Sequence, residues 1–298
     1  MLEGMQGKVA IVTGAGRGLG RAESLELGRQ GVRVVVNDFA APGEENPADS
    51  TVEEIKSAGG EAVAHVGDVA DWDTAKALVQ LAVDTYGSLD ILVNNAGILR
   101  DRMIFNMSEE EWDAVIRVHL KGHFCMMRHA SEYWREKSKA ADGPIYARIV
   151  NTSSEAGLLG SAGQPNYATA KGGIIQLTLG AAQALGRYGV NANAIAPRAL
   201  TRMTEQLGGF DTKDGDFEVF APENVSPLVA YLSSPQAAKV SGQVFVVWGR
   251  QITVLTGPAT DRQFETPEQW TPDRVSDSLT PFYEGRKPVR DGFLSRHT

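Results

Sequence analysis

Tyr167 and Lys171 stand four residues apart in a chain of 298 residues. On a helix that spacing places both on one face, one turn apart. A free phenol ionises near pH ~10 and is a poor base at neutral pH. An ammonium held one turn away favours the phenolate and lowers that value. A phenol tuned in this way can take a proton from an alcohol or return one to an alkoxide. Ser154, upstream in Asn151-Thr-Ser-Ser-Glu-Ala-Gly157, is placed to hold the substrate oxygen during the transfer. Taken alone, Tyr-x-x-x-Lys is a common surface pair, so its meaning depends on what the rest of the chain brings beside it.

A second chemical stretch lies near the N-terminus. The apolar run Lys8 to Val12 leads into Thr13-Gly14-Ala15-Gly16-Arg17-Gly18-Leu19-Gly20. A helical pattern follows from Arg21 to about Gln30, Gly31 stops it, and Val32 to Val36 is a second strand. Glycines at the first turn of such a β-α-β unit let the backbone approach a pyrophosphate. The helix N-terminus offers that pyrophosphate free N–H groups and the positive end of the helix dipole. Gly14, Gly16, Arg17, Gly18, Leu19 and Gly20 therefore form the candidate cofactor loop. Asp38 ends the second strand, where a carboxylate accepts both hydroxyls of an adenosine ribose and repels a 2′-phosphate, favouring NAD over NADP. Arg17 pulls the other way, but its guanidinium can swing into solvent, so the choice rests with Asp38.

The elements that must position these residues alternate along the chain. Ser50 to Ala58 reads as a helix and Ala62 to Val66 as a third strand, followed by Gly67-Asp68-Val69. Asp68 can reach an adenine amino group or cap the next helix, which spans Thr74 to Tyr86. Leu89 to Val93 leads into Asn94-Asn95-Ala96-Gly97. Helical patterns cover Ser108 to Lys121 and Phe124 to about Lys137. Ala147 to Val150 is a strand, a helix runs from near Asn166 to about Leu185, and further strands cover Asn191 to Ala196 and Gln243 to Trp248. Ala221-Pro222-Glu223-Asn224 opens a helix between them. The pattern predicts an α/β fold: one doubly wound, Rossmann-like parallel sheet of about seven strands with helices on both faces. Ligands bind such sheets beyond the strands' carboxyl ends. Gly14, Asp38, Asp68, Asn95, Ser154 and Pro197 all fall there, and that convergence makes Tyr167 and Lys171 the candidate catalytic pair.

Composition narrows the alternatives. With net charge -8 and a single cysteine, Cys125, the chain has no overall basic nucleic-acid footprint, no internal disulfide and no cysteine metal cluster. Cys125 reads as a small buried residue. His65, His123, His129 and His297 show no metal-ligand pattern and read as surface or helix residues. No apolar run reaches the ~18 residues of a membrane span. Neither terminus carries a recognisable address, so the cytoplasm is the expected compartment. Residues 1–250 form the expected catalytic domain. Residues 251–298 form an extension whose aromatics, Phe264, Trp270, Phe282, Tyr283 and Phe293, suit docking on the same domain or on a neighbouring subunit. Trp270 is expected to be mostly buried.

With these residues in place, the chain resembles the short-chain dehydrogenase/reductase family over about residues 5 to 250. The resemblance rests on Thr13-Gly-x-x-x-Gly18-x-Gly20, Asn94-Asn95-Ala96-Gly97, Ser154 and Tyr167-x-x-x-Lys171. It implies that Tyr167 is the acid/base, that Ser154 orients the substrate oxygen, and that Lys171 lowers the tyrosine pKa and holds the nicotinamide ribose. It also places Val69, Ala96, Gly97, Pro197, Leu200 and Thr201 at the cofactor and implies a homo-oligomer, dimer or tetramer. Val36-Asn37-Asp38, Leu99-Arg100-Asp101-Arg102, Val118-His119-Leu120-Lys121-Gly122 and Ile195-Ala196-Pro197 with Arg202-Met203-Thr204 are similar to (3R)-hydroxyacyl-CoA dehydrogenase units of type 2 multifunctional β-oxidation enzymes. That similarity implies NAD-linked oxidation of a 3-hydroxyacyl thioester, with 17β-hydroxysteroids as candidate side substrates. A hydroxysteroid or other secondary-alcohol dehydrogenase is the alternative within the enzyme class. Outside it, the alternative is a dinucleotide-sensing scaffold. Two positions depart from the family pattern. His119 stands for the usual asparagine of a water relay to the lysine, acting either through its ring or only through its main-chain carbonyl. Arg198 stands for the usual glycine after Pro197, in the loop beside the nicotinamide.

Overall fold

Side chains alternate between the two faces of each strand, and that alternation sets the layers. In the computed structural model, residues 1–41, 43–201, 213–215, 217–258 and 260–284 are described. Arg202, Met203, Thr204, Phe293 and His297 lie outside them. The strands are β1 (Val9–Thr13), β2 (Arg33–Asp38), β3 (Ala62–Val66), β4 (Ile91–Asn94), β5 (Ala147–Thr152), β6 (Val190–Pro197), β7 (Lys213–Asp214), β8 (Phe217–Glu218), β9 (Val244–Trp248) and β10 (Gln251–Val254). The helices are α1 (Gly18–Arg29), α2 (Pro47–Ser57), α3 (Trp72–Tyr86), α4 (Glu109–Ile116), α5 (Gly122–Ala140), α6 (Glu155–Leu159), α7 (Pro165–Leu185), α8 (Ser226–Leu232) and α9 (Pro272–Glu284).

Eight strands form one sheet in the order β10-β9-β6-β5-β4-β1-β2-β3, and β7 pairs with β8 in a separate ribbon. The strand order reverses between β1 and β4, which opens the crevice where ligands enter such sheets. Ala10, Val12, Ile91, Val93 and Val150 face a core shared with Leu27 of α1, Ile55 of α2 and Leu228 of α8. Their neighbours Val9, Ile11, Leu92 and Ile149 face the other core, with Leu78 of α3 and Met126 and Trp134 of α5. Two apolar faces explain why these strands read as continuous runs of β-branched residues.

The sheet has eight strands rather than the expected seven because it continues past residue 250. β10 pairs antiparallel with β9 across Gly249-Arg250, with Trp248 opposite Gln251. Gly249 takes φ 52, the positive value a two-residue hairpin needs at its first loop position. Every residue of β10 is exposed, so the polar/apolar alternation of Gln251-Ile252-Thr253-Val254 belongs to an edge strand with no covered face.

Cys125 is fully buried, as expected. His123 and His129 are buried on α5 rather than at the surface. The His129 ring packs edge-on against Trp72, 4.5 Å between centroids. His65 sits on β3, with its Nδ1 3.1 Å from the Asn37 amide.

Residues 256–298 form a compact unit separate from residues 1–255. Within its described part, Phe264 packs edge-on against Phe282 at 5.2 Å. Phe264, Trp270, Val275 and Leu279 line a small apolar hollow. Trp270 is 41% exposed, which corrects the expectation of a mostly buried ring. A unit this small buries only a modest fraction of its surface.

Candidate active site

α7 begins with Pro165 at its first position and is held at that end by Asn166. The Asn166 amide nitrogen donates to the carbonyls of Arg100 and Glu111 (2.9 and 3.0 Å), and its oxygen accepts from the Tyr167 N–H (2.7 Å). This anchoring fixes the rotation of α7, so Tyr167 and Lys171 both face the strand ends. Lys171 is 2% exposed. Its Nζ donates to the Thr152 carbonyl at the end of β5 (2.6 Å) and lies 5.5 Å from the centroid of the Tyr167 ring. Ser153 Oγ donates to the Lys171 carbonyl (2.8 Å), closing the link between β5 and α7 from the other side.

Ser154 follows with extended backbone and caps α6, its Oγ accepting from the Ala156 N–H at 3.2 Å. Burial raises the Tyr167 phenol above its ordinary value, a hydrogen bond with Ser154 pulls it back, and the charge of Asp101 adds to the rise. The expected lowering by Lys171 is therefore not what this structure has. Burial also drives the Lys171 ammonium down, to about 7, against the attraction of Glu23. Whatever charge the lysine keeps does not offset the burial of the phenol.

His119 lies in a π-helical turn, Arg117–Lys121, between α4 and α5; such turns recur at functional sites. Its ring packs edge-on against Tyr167, 5.2 Å between centroids. Its Nε2 sits against the Ile98 main chain, 2.8 Å from the carbonyl and 3.0 Å from the nitrogen. Burial first, then the Lys171 charge, holds its pKa well below the ordinary value, so the ring is neutral. Nδ1 is buried and has no partner among the described residues. His123 is also buried, and its Nε2 has no partner among the described residues.

The cofactor loop is shaped by close approach. Gly14 takes φ 62, and a Cβ there would meet Ala96 Cα at 2.7 Å. The Asn95 amide donates to the Thr13 and Gly14 carbonyls (3.1 and 3.0 Å), while Thr13 Oγ1 accepts from the N–H groups of Asn95 and Ala96 (3.0 and 3.2 Å). Asn95 thus shapes the glycine turn, and Gly20 leaves room for its amide. α1 starts at Gly18 with no side-chain cap, so no cap competes with a ligand for its first N–H groups. Asp38 Oδ2 accepts from the Gly16 N–H (2.8 Å), and Oδ1 accepts from the Phe39 N–H (2.7 Å). The remaining carboxylate lone pairs are available to a ribose. Glycine turn, uncapped helix and terminal carboxylate fit a dinucleotide.

One cleft of about 470 Å³ unites these parts. Its walls include Gly14, Arg17, Gly18, Leu19, Asp38, Asn95, Ala96, Gly97, His119, Ser154, Tyr167, Lys171, Pro197 and Thr201. Gly16, Gly20, Asp68, Val69 and Leu200 stand outside its walls. Gly16 packs against Pro47, and Leu200 donates its N–H to the Phe220 carbonyl (2.7 Å). Val69 is buried in the core. Asp68 accepts from the Ala70 N–H (2.8 Å) and pairs with Arg117. The cap of α3 is Asp71, which accepts from the Thr74 N–H (2.8 Å), so the capping role considered for Asp68 belongs to its neighbour.

Sequence reasoning missed three features. Gln164 lines the cleft and donates to Asp101 Oδ2 (2.8 Å). Glu155 pairs with Arg198 across the mouth. Glu23 is fully buried in α1 with neither oxygen partnered. The signal for Glu23 was present: it lies four residues before Leu27, on the face α1 turns to the core.

Comparison with known proteins gives a consistent result. The short chain dehydrogenase family model matches residues 8–210. Hydroxyacyl-CoA dehydrogenase ChsB1 of Mycobacterium tuberculosis is 52% identical over 292 residues, 95% of this chain and 91% of that protein. Peroxisomal multifunctional enzyme type 2 of Mus musculus is 38% identical over 294 residues, and the chain spans 38% of its length. A crystal structure of a short chain dehydrogenase from Mycobacterium avium superposes with a TM-score of 0.85 at 50% identity, covering 95% of this chain and 97% of that one.

Burial pushes the Glu23 carboxyl up to about 8, against the attraction of Lys171. An unfolded glutamate loses its proton near 4.5, so between those values the folded chain holds a proton the unfolded chain has released. Stability should then fall as pH rises through that window. Lys171 acts in the opposite sense above about 7, so the useful comparison spans pH 5 to 7. Glu23→Gln cannot ionise, and its melting temperature should gain on the parent's steadily across that span. A constant offset, or a growing deficit, would show that Glu23 is an ionised partner of Lys171 instead.

Proposed function

The chain belongs to the short chain dehydrogenase family, and from that premise we propose that it is an NAD-dependent dehydrogenase of 3-hydroxyacyl thioesters. It interconverts a secondary alcohol and a ketone. The observation that carries the site assignment is the meeting of Ser154, Tyr167 and Lys171 with the glycine turn and Asp38 in one cleft. A sensor or scaffold would need the glycine turn, Asp38 and Lys171 to hold a dinucleotide, but neither Ser154 nor Tyr167. The thioester substrate is supported by the relative named as a hydroxyacyl-CoA dehydrogenase, matched along nearly its whole length.

A bound nicotinamide dinucleotide supplies the acceptor or donor of hydride. The residues that would hold it are Gly14, Gly18 and Leu19 at the pyrophosphate, Asp38 at the adenosine ribose, and Asn95, Ala96, Gly97, Lys171, Pro197 and Thr201 towards the nicotinamide end. Tyr167 handles the proton. Its raised pKa keeps the phenol protonated, ready to donate to the oxygen of a ketone as that oxygen gains charge. In the oxidising direction the Ser154 hydroxyl stabilises the phenolate that accepts the alcohol proton. In the reducing direction, where the phenol keeps its own proton, the one Ser154 proton goes to the substrate oxygen instead, and neutral His119 packs edge-on against the ring. Asp38 supports NAD over NADP, because its carboxylate lies where a 2′-phosphate would have to sit.

Tyr167→Phe removes the proton with little change of volume. The rate of 3-ketoacyl thioester reduction should fall ~10²–10⁴-fold, while fluorescence titration shows NADH binding largely intact. A variant within a few-fold of the parent would overturn the assignment. Asp38→Ser removes the charge and also the acceptor of the Gly16 N–H. Affinity for NADH should drop, and the ratio of kcat/KM for NADPH to that for NADH should rise. A parent enzyme that already prefers NADPH would show that Arg17, not Asp38, governs the choice.

A further inference from the structure

We infer that Arg198 is a positioning residue, tying the loop that carries Ser154 to the loop that follows β6. The inference rests on the reading of Ser154 and Tyr167 given above. Neighbouring strands β5 and β6 run parallel, with Thr152 opposite Ile195 in the last rung before the loops and Ser153 N–H donating to the Ile195 carbonyl at 2.6 Å. Beyond that bond the two chains part into Ser154-Glu155 on one side and Pro197-Arg198 on the other. Arg198 closes the gap. Its Nε and Nη2 donate to the two oxygens of Glu155, at 2.5 and 2.7 Å, in the paired geometry of a guanidinium on a carboxylate. Its own N–H donates to the Val247 carbonyl of β9 (3.0 Å). Its guanidinium lies 5.0 Å from the centroid of the Trp248 ring, which stacks on Phe220 at 5.5 Å. One side chain thus joins the ends of β5, β6 and β9.

Glu155 and Arg198 both line the cleft, and their side chains are 24% and 36% exposed. Solvent-exposed ion pairs hold geometry poorly, but a paired, half-enclosed, ring-backed guanidinium holds it well. The consequence falls on Ser154. It caps α6, Glu155 is the first residue of that helix, and α6 is only five residues long. Fixing the Glu155 side chain fixes the turn immediately after Ser154 and so the direction in which Oγ meets the Tyr167 hydroxyl. Glu155 occupies the Nε–Nη2 edge of Arg198, so that edge serves alignment rather than a substrate phosphate.

The experiment compares Arg198→Met, Glu155→Gln, the double variant, and the exchanged pair Glu155→Arg with Arg198→Glu. Each single variant should lower kcat for 3-ketoacyl thioester reduction by between ~10- and ~100-fold, the scale of a small misplacement at a reacting centre. NADH affinity from fluorescence should stay within a few-fold. The double variant should be no worse than either single one, and the exchanged pair should recover much of the loss. Amide hydrogen exchange should quicken across residues 153–160 in both single variants and return towards the parent's in the exchanged pair. Additive losses in the double variant would overturn the inference. So would a raised substrate KM with kcat unchanged, which marks a direct substrate contact. Unchanged exchange across 153–160 would overturn it whatever the activity does. Failure of the catalytic reading has a separate mark, namely undiminished turnover by Tyr167→Phe.

Discussion

Burying the Lys171 ammonium is the constraint around which the rest of the site is arranged. A cation taken out of water needs fixed oxygen partners, and the available one is the Thr152 carbonyl, 2.6 Å from Nζ at the last position of β5. That contact requires α7 to lie close over the strand end. Glycines make the approach possible, since a Cβ on Gly157 of α6 would strike the Gly172 nitrogen of α7 at 2.5 Å. Once α7 is seated, Tyr167 is carried into the same enclosure, and the burial that raises its phenol follows from the burial of the lysine. Glu23, His119 and His123 respond to the same charge: Lys171 opposes ionisation of both imidazoles and favours that of the carboxyl. Burial, the larger influence on each, disfavours charge: the Glu23 carboxyl and the Tyr167 phenol keep their protons, while the two imidazoles and the lysine give theirs up more readily.

The strand ends are braced by polar side chains on the sheet as well. The Asn94 amide donates to the Asn151 oxygen (2.9 Å), and the Asn151 amide donates in turn to Thr178 Oγ1 of α7 (2.8 Å). All three residues are buried, so each bond also spares a polar group the cost of being left unpaired. Thr13 and Asn95 do the same between β1 and the turn after β4. Polar residues at the carboxyl ends of otherwise apolar strands thus have a double use: they close the sheet and they aim the loops.

Much of this was legible in the sequence. Lys8 to Val12 and Ala147 to Val150 are apolar on both faces and bounded by glycine or asparagine, which marks buried parallel strands. Tyr167 and Lys171 could be paired from spacing alone, because helical periodicity is rigid. Electrostatics was less accessible. Spacing placed a cation near a phenol but not the depth at which both are buried, and depth reversed the expected direction of the tyrosine shift. The same limit applies to Glu155 and Arg198, whose 43-residue separation is bridged only when β5 and β6 become neighbours. The fully exposed β10 and the half-exposed Trp270 show the complementary failure. An edge strand can alternate polar and apolar residues, as Gln251 to Val254 do, without burying any of them, and an aromatic residue is no proof of enclosure.

These features divide the cleft into a stiff half and a soft one. On the stiff side, Ser154, Tyr167 and Lys171 sit on strand ends and on α7, held by buried hydrogen bonds. Such placement favours rate, because reacting groups must be aligned within a fraction of an ångström. Opposite it runs the segment after β4, where Leu99 lines the cleft and Met103, Ile104 and Phe105 are exposed, the last two by 74% and 76%. That segment is moored to the stiff half at only a few points: His119 against Ile98, Asn166 on the Arg100 carbonyl, and Gln164 on Asp101. The oxygen-handling groups and these exposed apolar side chains are therefore carried by different elements. Asn166 and Gln164, at the start of α7, are the mechanical joint between them.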